Sequence, residues 1–125
     1  MAESRLDKGI ALARKLFGGA AGGTPLPEGF RTYTMEHLFG DVWQRPGLDL
    51  QERSLITCTV LIALGREPEQ RLHFRGARNV GHKREKLEEV ITHVAHYAGW
   101  PVAASALRVL DEVWSAMDAE AADAS

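Results

Sequence analysis

Apolar side chains recur every three to four positions along the chain, in segments separated by Gly and Pro. Patterns that alternate between apolar and polar residues, as strands do, are almost absent. The 125 residues are 45% hydrophobic, which is enough apolar material for one core. We therefore expect a single all-α domain over residues 1–125, with about six helices and no internal repeat.

Local signals predict where these helices begin and end. Asp49 and Glu52 have the spacing of a capping box, which places a helix start at that point. Pro68 suits the first turn of the next helix, because a proline there lacks only an amide that would have no partner. The expected helices cover approximately 5–17, 29–39, 49–64, 68–80, 83–98 and the residues from 101 onward.

The segments between and beside these helices have their own expected character. Residues 40–48 are expected to form a structured loop, because Trp43 and Leu48 need burial. Residues 18–25 have the Gly/Ala composition of a flexible connector, and the small, polar tail 118–125 is expected to fray. The second helix is expected to share one face among Phe30, Tyr33, His37 and Leu38.

The second half of the third helix, residues 55–64, is apolar nearly all round. Such a helix must be covered on most sides, by neighbours in its own subunit or in another.

Composition excludes several classes of protein. A single cysteine forms neither an internal disulfide nor a Cys-rich metal site, and we expect no bound metal. The longest apolar run, 60–64, is too short for a membrane span, and the first residues do not resemble a signal peptide, so the cytoplasm is the expected compartment. A formal net charge of −2 argues against a nucleic-acid partner.

The fourth helix carries two polar residues within its expected apolar stripe. Glu69 and His73 lie four residues apart, so their side chains can meet. One interpretation is a buried structural pair, and the other is a general acid/base in a pocket between helices. The apolar residues of that stripe are Leu72, Gly76, Ala77 and Val80.

Two further clusters and one cysteine have both a functional and a structural interpretation. Arginines 71, 75 and 78 on the opposite face of the fourth helix form either an anion site or a solvated face. Glu89, His93 and His96 have a spacing compatible with a metal site, but a solvent face or a subunit interface is the expected role. Cys58 lies in the most apolar stretch, where thiols are usually inert.

The order and spacing of several motifs resemble the carboxymuconolactone decarboxylase family. The resemblance covers about residues 5–113 and is strongest from Gly40 onward. It implies an all-α fold of the alkylhydroperoxidase type, assembled as a homotrimer or homohexamer. The matching motifs are WQRPGLD at 43–49, RSLI at 53–56, ALGR at 63–66, Glu69, His73, Arg75, Gly81, EEVI at 88–91 and YAGWP at 97–101.

The resemblance also distinguishes two branches of that fold. The peroxidase branch has a Cys-x-x-Cys pair seven and four residues before the helix histidine, where this chain has Arg66 and Glu69. The acidic residue of that branch would fall at Ser54. Dithiol peroxidase chemistry is therefore not expected, whereas Glu and His at 69 and 73 match the decarboxylase branch.

The decarboxylase branch implies removal of carbon dioxide from 4-carboxymuconolactone, giving 3-oxoadipate enol-lactone without a cofactor. The expected substrate is thus a small anionic lactone. His73 is then the expected proton donor and Glu69 the residue that orients it. The candidate substrate-binding residues are Arg53, Arg75, Trp43 and Tyr97.

Some residues depart from the family pattern. Lys83 stands where an N-cap Thr or Ser is usual, His96 stands at a usually apolar place, and the connector 18–24 is unusual. Two alternatives therefore stay open. One is a related enzyme acting on another lactone or β-keto acid, and the other is a non-catalytic, oligomeric ligand-binding protein.

Overall fold

The computed structural model describes residues 3–19 and 26–124, and within these residues every regular element is helical. This confirms the all-α prediction. The helices are α1 (Arg5–Phe17), α2 (Glu28–Thr32), α3 (Leu50–Ala63), α4 (Glu67–Asn79), α5 (Arg84–Ala98) and α6 (Trp100–Ala124). A π-helical segment (Tyr33–Phe39) continues α2, and a short 3₁₀ turn (Val42–Gln44) follows it.

The α3–α4 hairpin forms where the local signals predict it. The Asp49 side chain accepts from the Glu52 amide at 2.7 Å, and the Glu52 carboxylate accepts from the Asp49 amide at 2.9 Å. Gly65 has φ +68°, a conformation that glycine adopts without steric cost, and it turns the chain between the two helices. Pro68 lies in the first turn of α4, as expected.

The main core lies among α3, α4, α5 and α6. The stripe predicted for α4 was incomplete, because Phe74 and Gln70 are also fully buried. The side-chain amide of Gln70 donates to the Leu61 carbonyl of α3 at 3.1 Å, whereas its Oε1 has no hydrogen-bond partner among the described residues. The largest apolar residues of this core are Phe74, Ile62, Leu87, Ile91 and Leu110.

A second apolar cluster joins α1 to the π-helical segment and to α4. Leu16 and Phe17 of α1 are buried there with Phe39. Gly9 permits the close approach of α1 to the π-helical segment, because a Cβ at Gly9 would overlap the Met35 carbonyl oxygen.

The face predicted for the second helix was wrong. Phe30 and Tyr33 are exposed at 61% and 73%, whereas Met35 and Phe39 pack into the second cluster. The physical reason is the π-helical geometry of Tyr33–Phe39. Because each π-helical turn is wider than an α-helical turn, a different set of residues faces the core. His37 and Leu38, also placed on the predicted face, are exposed.

Helix α6 is long and is tied to α4 by ion pairs. Arg71 pairs with Glu112 at 2.5 Å, so the outer face of α4 is covered by α6 rather than fully solvated. Arg78 pairs with Asp118 at 2.7 Å, and Arg75 pairs with Glu120 at 2.8 Å. The helix therefore continues to Ala124, through the segment for which we expected fraying.

Three further expectations concern the coverage of α3, the connector 18–25 and a membrane-spanning helix. Part of α3 and its C-cap residue are not covered by their own chain, since Ile56, Val60 and the C-cap residue Leu64 are 47%, 49% and 68% exposed. The connector 18–25 lies mostly outside the described residues, of which it includes only Gly18 and Gly19. In the described part of the chain, no helix has both the length and the apolar character needed to cross a bilayer.

Candidate active site

His73 lies on the side of α4 that faces α1. The ring of Phe17 meets the imidazole edge-on, with ring centres 5.1 Å apart and planes at 88°. The backbone carbonyl of His73 accepts a hydrogen bond from the Cys58 thiol of α3 at 3.4 Å. The histidine is therefore held between α1 and α3 by one aromatic contact and one backbone contact.

Burial determines the charge of the His73 ring. Desolvation lowers the pKa of His73 from 6.5 to about 4, although the Glu69 carboxylate acts in the opposite direction. The Nδ1 atom is buried and has no hydrogen-bond partner among the described residues. The ring is therefore neutral at pH 7, with one nitrogen that a new partner would satisfy.

Glu69 lies one turn before His73, but its hydrogen-bond partner is Arg66. The Nε and Nη2 atoms of Arg66 lie 2.6 Å and 2.5 Å from Glu69 Oε1. The influence of Glu69 on His73 is thus electrostatic in this structure. The sequence placed Arg66 in the ALGR motif and at the position of an absent cysteine, and its i,i+3 spacing to Glu69 is the signal that could have predicted this pair.

Trp43 packs against the second cluster, and Arg53 contacts the backbone two residues after Trp43. Arg53 Nη2 donates to the carbonyl of Arg45 at 3.0 Å, while its Nε is buried without a partner among the described residues. Trp43 contacts Phe39, with ring centres 5.5 Å apart, and Phe39 contacts Phe17 at 5.8 Å. Aromatic contacts therefore lead from Trp43 to the Phe17 ring, which touches His73.

Trp43 also lines an open cavity of about 350 Å³, as do Leu12, Arg45 and Leu50. The expected burial of Trp43 and Leu48 in the loop is only partly met, because both remain half-exposed. A half-exposed indole beside a cavity is compatible with the role of a pocket wall.

The structure does not bring Arg75 or Tyr97 to this neighbourhood. Arg75 forms a bidentate pair with Glu120 of α6, with both N–O distances at 2.8 Å. Tyr97 is 83% exposed on α5, and its ring lies 5.1 Å from that of His93.

The remaining clusters have structural explanations. Among the described residues, no group of three His, Cys, Asp or Glu side chains is placed to hold a metal ion, so Glu89, His93 and His96 do not form the site their spacing allowed. The Nδ1 atom of His96 instead lies 2.8 Å from the Thr92 carbonyl oxygen of its own helix. Burial raises the pKa of the Cys58 thiol to about 12, in agreement with its expected inertness.

A sequence profile of the carboxymuconolactone decarboxylase family matches residues 28–112 of this chain, which is more than half of its length. The chain belongs to this family.

Two curated relatives are named decarboxylases. The chain is 42% identical over 85 residues to 4-carboxymuconolactone decarboxylase of Acinetobacter baylyi, a match that covers 68% of this chain and 63% of that enzyme. This chain therefore matches less than two thirds of the length of that relative. It is 34% identical over 109 residues to nitrosuccinic acid decarboxylase npaB of Metarhizium robertsii, which covers 82% of this chain and 76% of that protein.

A third relative is an uncharacterized protein of Paracoccus denitrificans, 30% identical over 88 residues, with 69% of this chain and 66% of that protein covered. Glu69, His73 and Arg66 all lie within the region that the family profile matches. The candidate site therefore lies in the part of the chain that the family profile matches.

Proposed function

We propose that this chain is a decarboxylase that acts on a small dicarboxylate, with 4-carboxymuconolactone as the first substrate to test. Family membership and the 42% identity to an enzyme of that name support the reaction. The observation that carries the proposal is the imidazole of His73, whose buried Nδ1 has no partner among the described residues and whose neighbour one turn away is a carboxylate. A purely structural histidine in such packing would normally have its ring nitrogens satisfied.

The chemistry requires little from the protein. When 4-carboxymuconolactone loses its ring carboxylate as carbon dioxide, the electron pair of the broken C–C bond moves through the ring double bond onto the lactone carbonyl. A proton delivered to the carbon beside that carbonyl then gives 3-oxoadipate enol-lactone. The substrate is its own electron acceptor, so we expect no cofactor. The protein must bind anionic groups, stabilise the developing oxyanion and return one proton.

In this proposal His73 returns the proton. Because its ring is neutral in the free protein, it must gain a proton when substrate binds, and a bound dianion favours this by stabilising the charged imidazolium. The unpartnered Nε of Arg53 is the donor we propose for a substrate carboxylate. Trp43 forms the proposed wall of the pocket, on the side of the cavity it lines.

A second substrate has the same chemical form. Nitrosuccinic acid, after which the Metarhizium relative is named, is also a small dicarboxylic acid with an electron acceptor beside the carboxylate that can leave. Its loss of carbon dioxide would place the electron pair on the nitro group as a nitronate, which a proton on carbon then quenches. The 34% identity supports testing this substrate beside the lactone.

We also propose that the chain assembles as a homotrimer or homohexamer. The exposed apolar side chains Ile56 and Val60 of α3 and Leu64 at its C-cap support this, since apolar side chains grouped on one exposed face mark an interaction surface. Arg75 and Tyr97 would then contribute to an active site only from a neighbouring copy, because in their own chain both lie away from His73.

The test is an absorbance assay for loss of 4-carboxymuconolactone generated in situ, with nitrosuccinate assayed in parallel. We expect turnover of at least one of the two by the wild type. His73→Gln should lower kcat by about 100-fold or more, the usual contribution of general acid catalysis. His96→Gln is the matched control, because His96 is an exposed histidine that bonds within its own helix, and it should retain activity. Full activity of His73→Gln would exclude His73 from the mechanism.

A further inference from the structure

We propose that Arg66 is a positioning residue that holds Glu69 away from His73, and that a carboxylate bound to Arg66 releases Glu69 to hydrogen-bond Nδ1 of His73. The ring would thereby take up a proton as an anionic ligand binds. This inference rests on the proposed function of His73 in proton transfer, and it concerns how that histidine becomes charged.

The first observation is the present partner of Glu69. Two nitrogen atoms of Arg66 contact the same oxygen, Oε1, at 2.6 Å and 2.5 Å. The pair lies at the amino-terminal end of α4, with Arg66 as the N-cap residue and Glu69 in the first turn. Glu69 is therefore a carboxylate whose direction is determined by Arg66.

The second observation is the unsatisfied atom four residues further along. His73 Nδ1 is buried and lacks a partner among the described residues, while Glu69 at i−4 is on the same face of the helix. Glu69 thus has two available partners at helical spacing, Arg66 at i−3 and His73 at i+4. In this structure it bonds the first and leaves the second unpaired.

Across residues 3–19 and 26–124, no other charged group is placed to act on the His73 ring. The helix α1 presents the Phe17 ring to the imidazole, and α3 presents the thiol of Cys58, which burial keeps protonated, to the His73 carbonyl. Three acidic residues of α6 are engaged on the far face of α4, where Glu112, Asp118 and Glu120 pair with arginines 71, 78 and 75. Glu69 is the charged group whose field acts on the His73 ring.

Arg66 is accessible to a ligand. Its side chain is 59% exposed, compared with 38% for that of Glu69, so a carboxylate from solution can approach the guanidinium without displacing the core. A ligand carboxylate would compete with Glu69 for the same donors. Once released, Glu69 accepts a hydrogen bond from Nδ1–H of His73. One proton from solvent converts the ring to an imidazolium. The Nε2–H is then available to protonate the carbanion carbon of the substrate.

The decisive measurement is the pKa of His73, from ¹⁵N-detected titration of the histidine rings in the free protein. The His73 signals are assigned by their loss in His73→Gln. Arg66→Gln should raise the pKa by about one pH unit or more, the usual effect of an adjacent opposite charge. Arg66→Lys, which keeps a cation for Glu69, should stay close to wild type. Arg71→Gln is the matched control, since it removes an α4 arginine that pairs with α6.

A double-mutant cycle separates release of Glu69 from simple loss of a positive charge. If Arg66 acts by holding Glu69, the shift caused by Arg66→Gln should largely disappear in a Glu69→Gln background. The same shift in both backgrounds would overturn the proposal, as would an unchanged or lowered pKa in Arg66→Gln alone.

The ligand step is tested with succinate, an unreactive dicarboxylate, against sodium chloride of equal ionic strength. Succinate in large excess should raise the His73 pKa of the wild type and have a smaller effect on Arg66→Gln. An unchanged wild-type pKa would overturn the ligand-triggered release. These titrations do not depend on turnover. Absence of decarboxylase activity would therefore contradict the proposed function, whereas the inference about Arg66 would still be decided by the pKa measurements.

Discussion

The His73 ring shows how burial and charge compete at one residue. Packing against Phe17 removes water from the imidazole and favours its neutral form, while Glu69 favours the charged form, and the first effect is the larger. The neutral ring is therefore a property of the folded chain and not of the residue type.

This difference between folded and unfolded chain makes stability depend on pH. The pKa of His73 is about 4 when folded, against 6.5 for the ordinary residue, so between these values the unfolded chain binds more protons. The contribution of His73 to stability is fully present above pH 6.5 and is lost as the pH falls toward 4, by about 3 kcal/mol at most.

We therefore expect His73→Gln to flatten the decline in unfolding free energy between pH 7 and pH 4, since glutamine does not titrate. Urea denaturation of both proteins across this range measures the difference. Parallel curves for wild type and variant would contradict the desolvation of the ring.

Single residues also show what sequence alone can predict about the site. The i,i+4 spacing of Glu69 and His73 was sufficient to identify them as neighbours on one face. It was not sufficient to predict that Glu69 would bond Arg66, because both partners are at helical spacing and only the side-chain directions distinguish them. Arg75 was correctly expected to point away from His73, but its partner Glu120 is 45 residues distant and has no local signal.

Among the helices, α5 lacks a side-chain N-cap, although the backbone conformation of its N-cap residue is suited to one. Lys83 occupies the N-cap position with φ −88° and ψ 157°, and its side chain makes no capping hydrogen bond. A serine in this extended conformation accepts from an amide of the first turn.

We expect Lys83→Ser to stabilise the protein by about 1 kcal/mol, the usual value of an N-cap. Chemical denaturation measures the change. Lys86→Ser is the control, because it removes an exposed lysine from the first turn of the same helix without changing the N-cap residue. Equal effects of the two substitutions would show that charge, and not capping, is responsible.

The predictions for the helices were correct where the signals for helix ends are local in sequence. They were wrong where the geometry depends on packing against distant residues. Asp49, Glu52 and Gly65 delimit α3 through contacts within a few residues, so the sequence contains the information. The π-helical segment Tyr33–Phe39 has ordinary composition, and its geometry depends on packing against α1, so helical periodicity assigned the wrong buried face.

The exposed apolar side of α3 determines what we expect of the quaternary structure. Val60 is 49% exposed and lines an open apolar groove together with Leu48, Leu55 and Ile56. If copies of the chain cover this groove, a charge placed there must be buried without a partner, which is costly.

We expect Val60→Glu to convert a trimer or hexamer to monomers while the helical content stays unchanged, because Val60 is not part of the core of its own chain. Size-exclusion chromatography with light scattering measures the mass. Ala11→Glu places the same charge on the exposed side of α1 and should leave the assembly intact. A monomeric wild type, or an assembled Val60→Glu, would contradict the proposed assembly.

The end of α6 has a consequence for how the chain unfolds. Its last turn has no basic residue, and acidic groups near a helix carboxyl end meet the negative pole of the helix dipole unfavourably. The positive charges that compensate Asp118 and Glu120 come from α4. The final turns of α6 therefore depend on a neighbour for their helicity, and the two helix segments should melt as one cooperative unit.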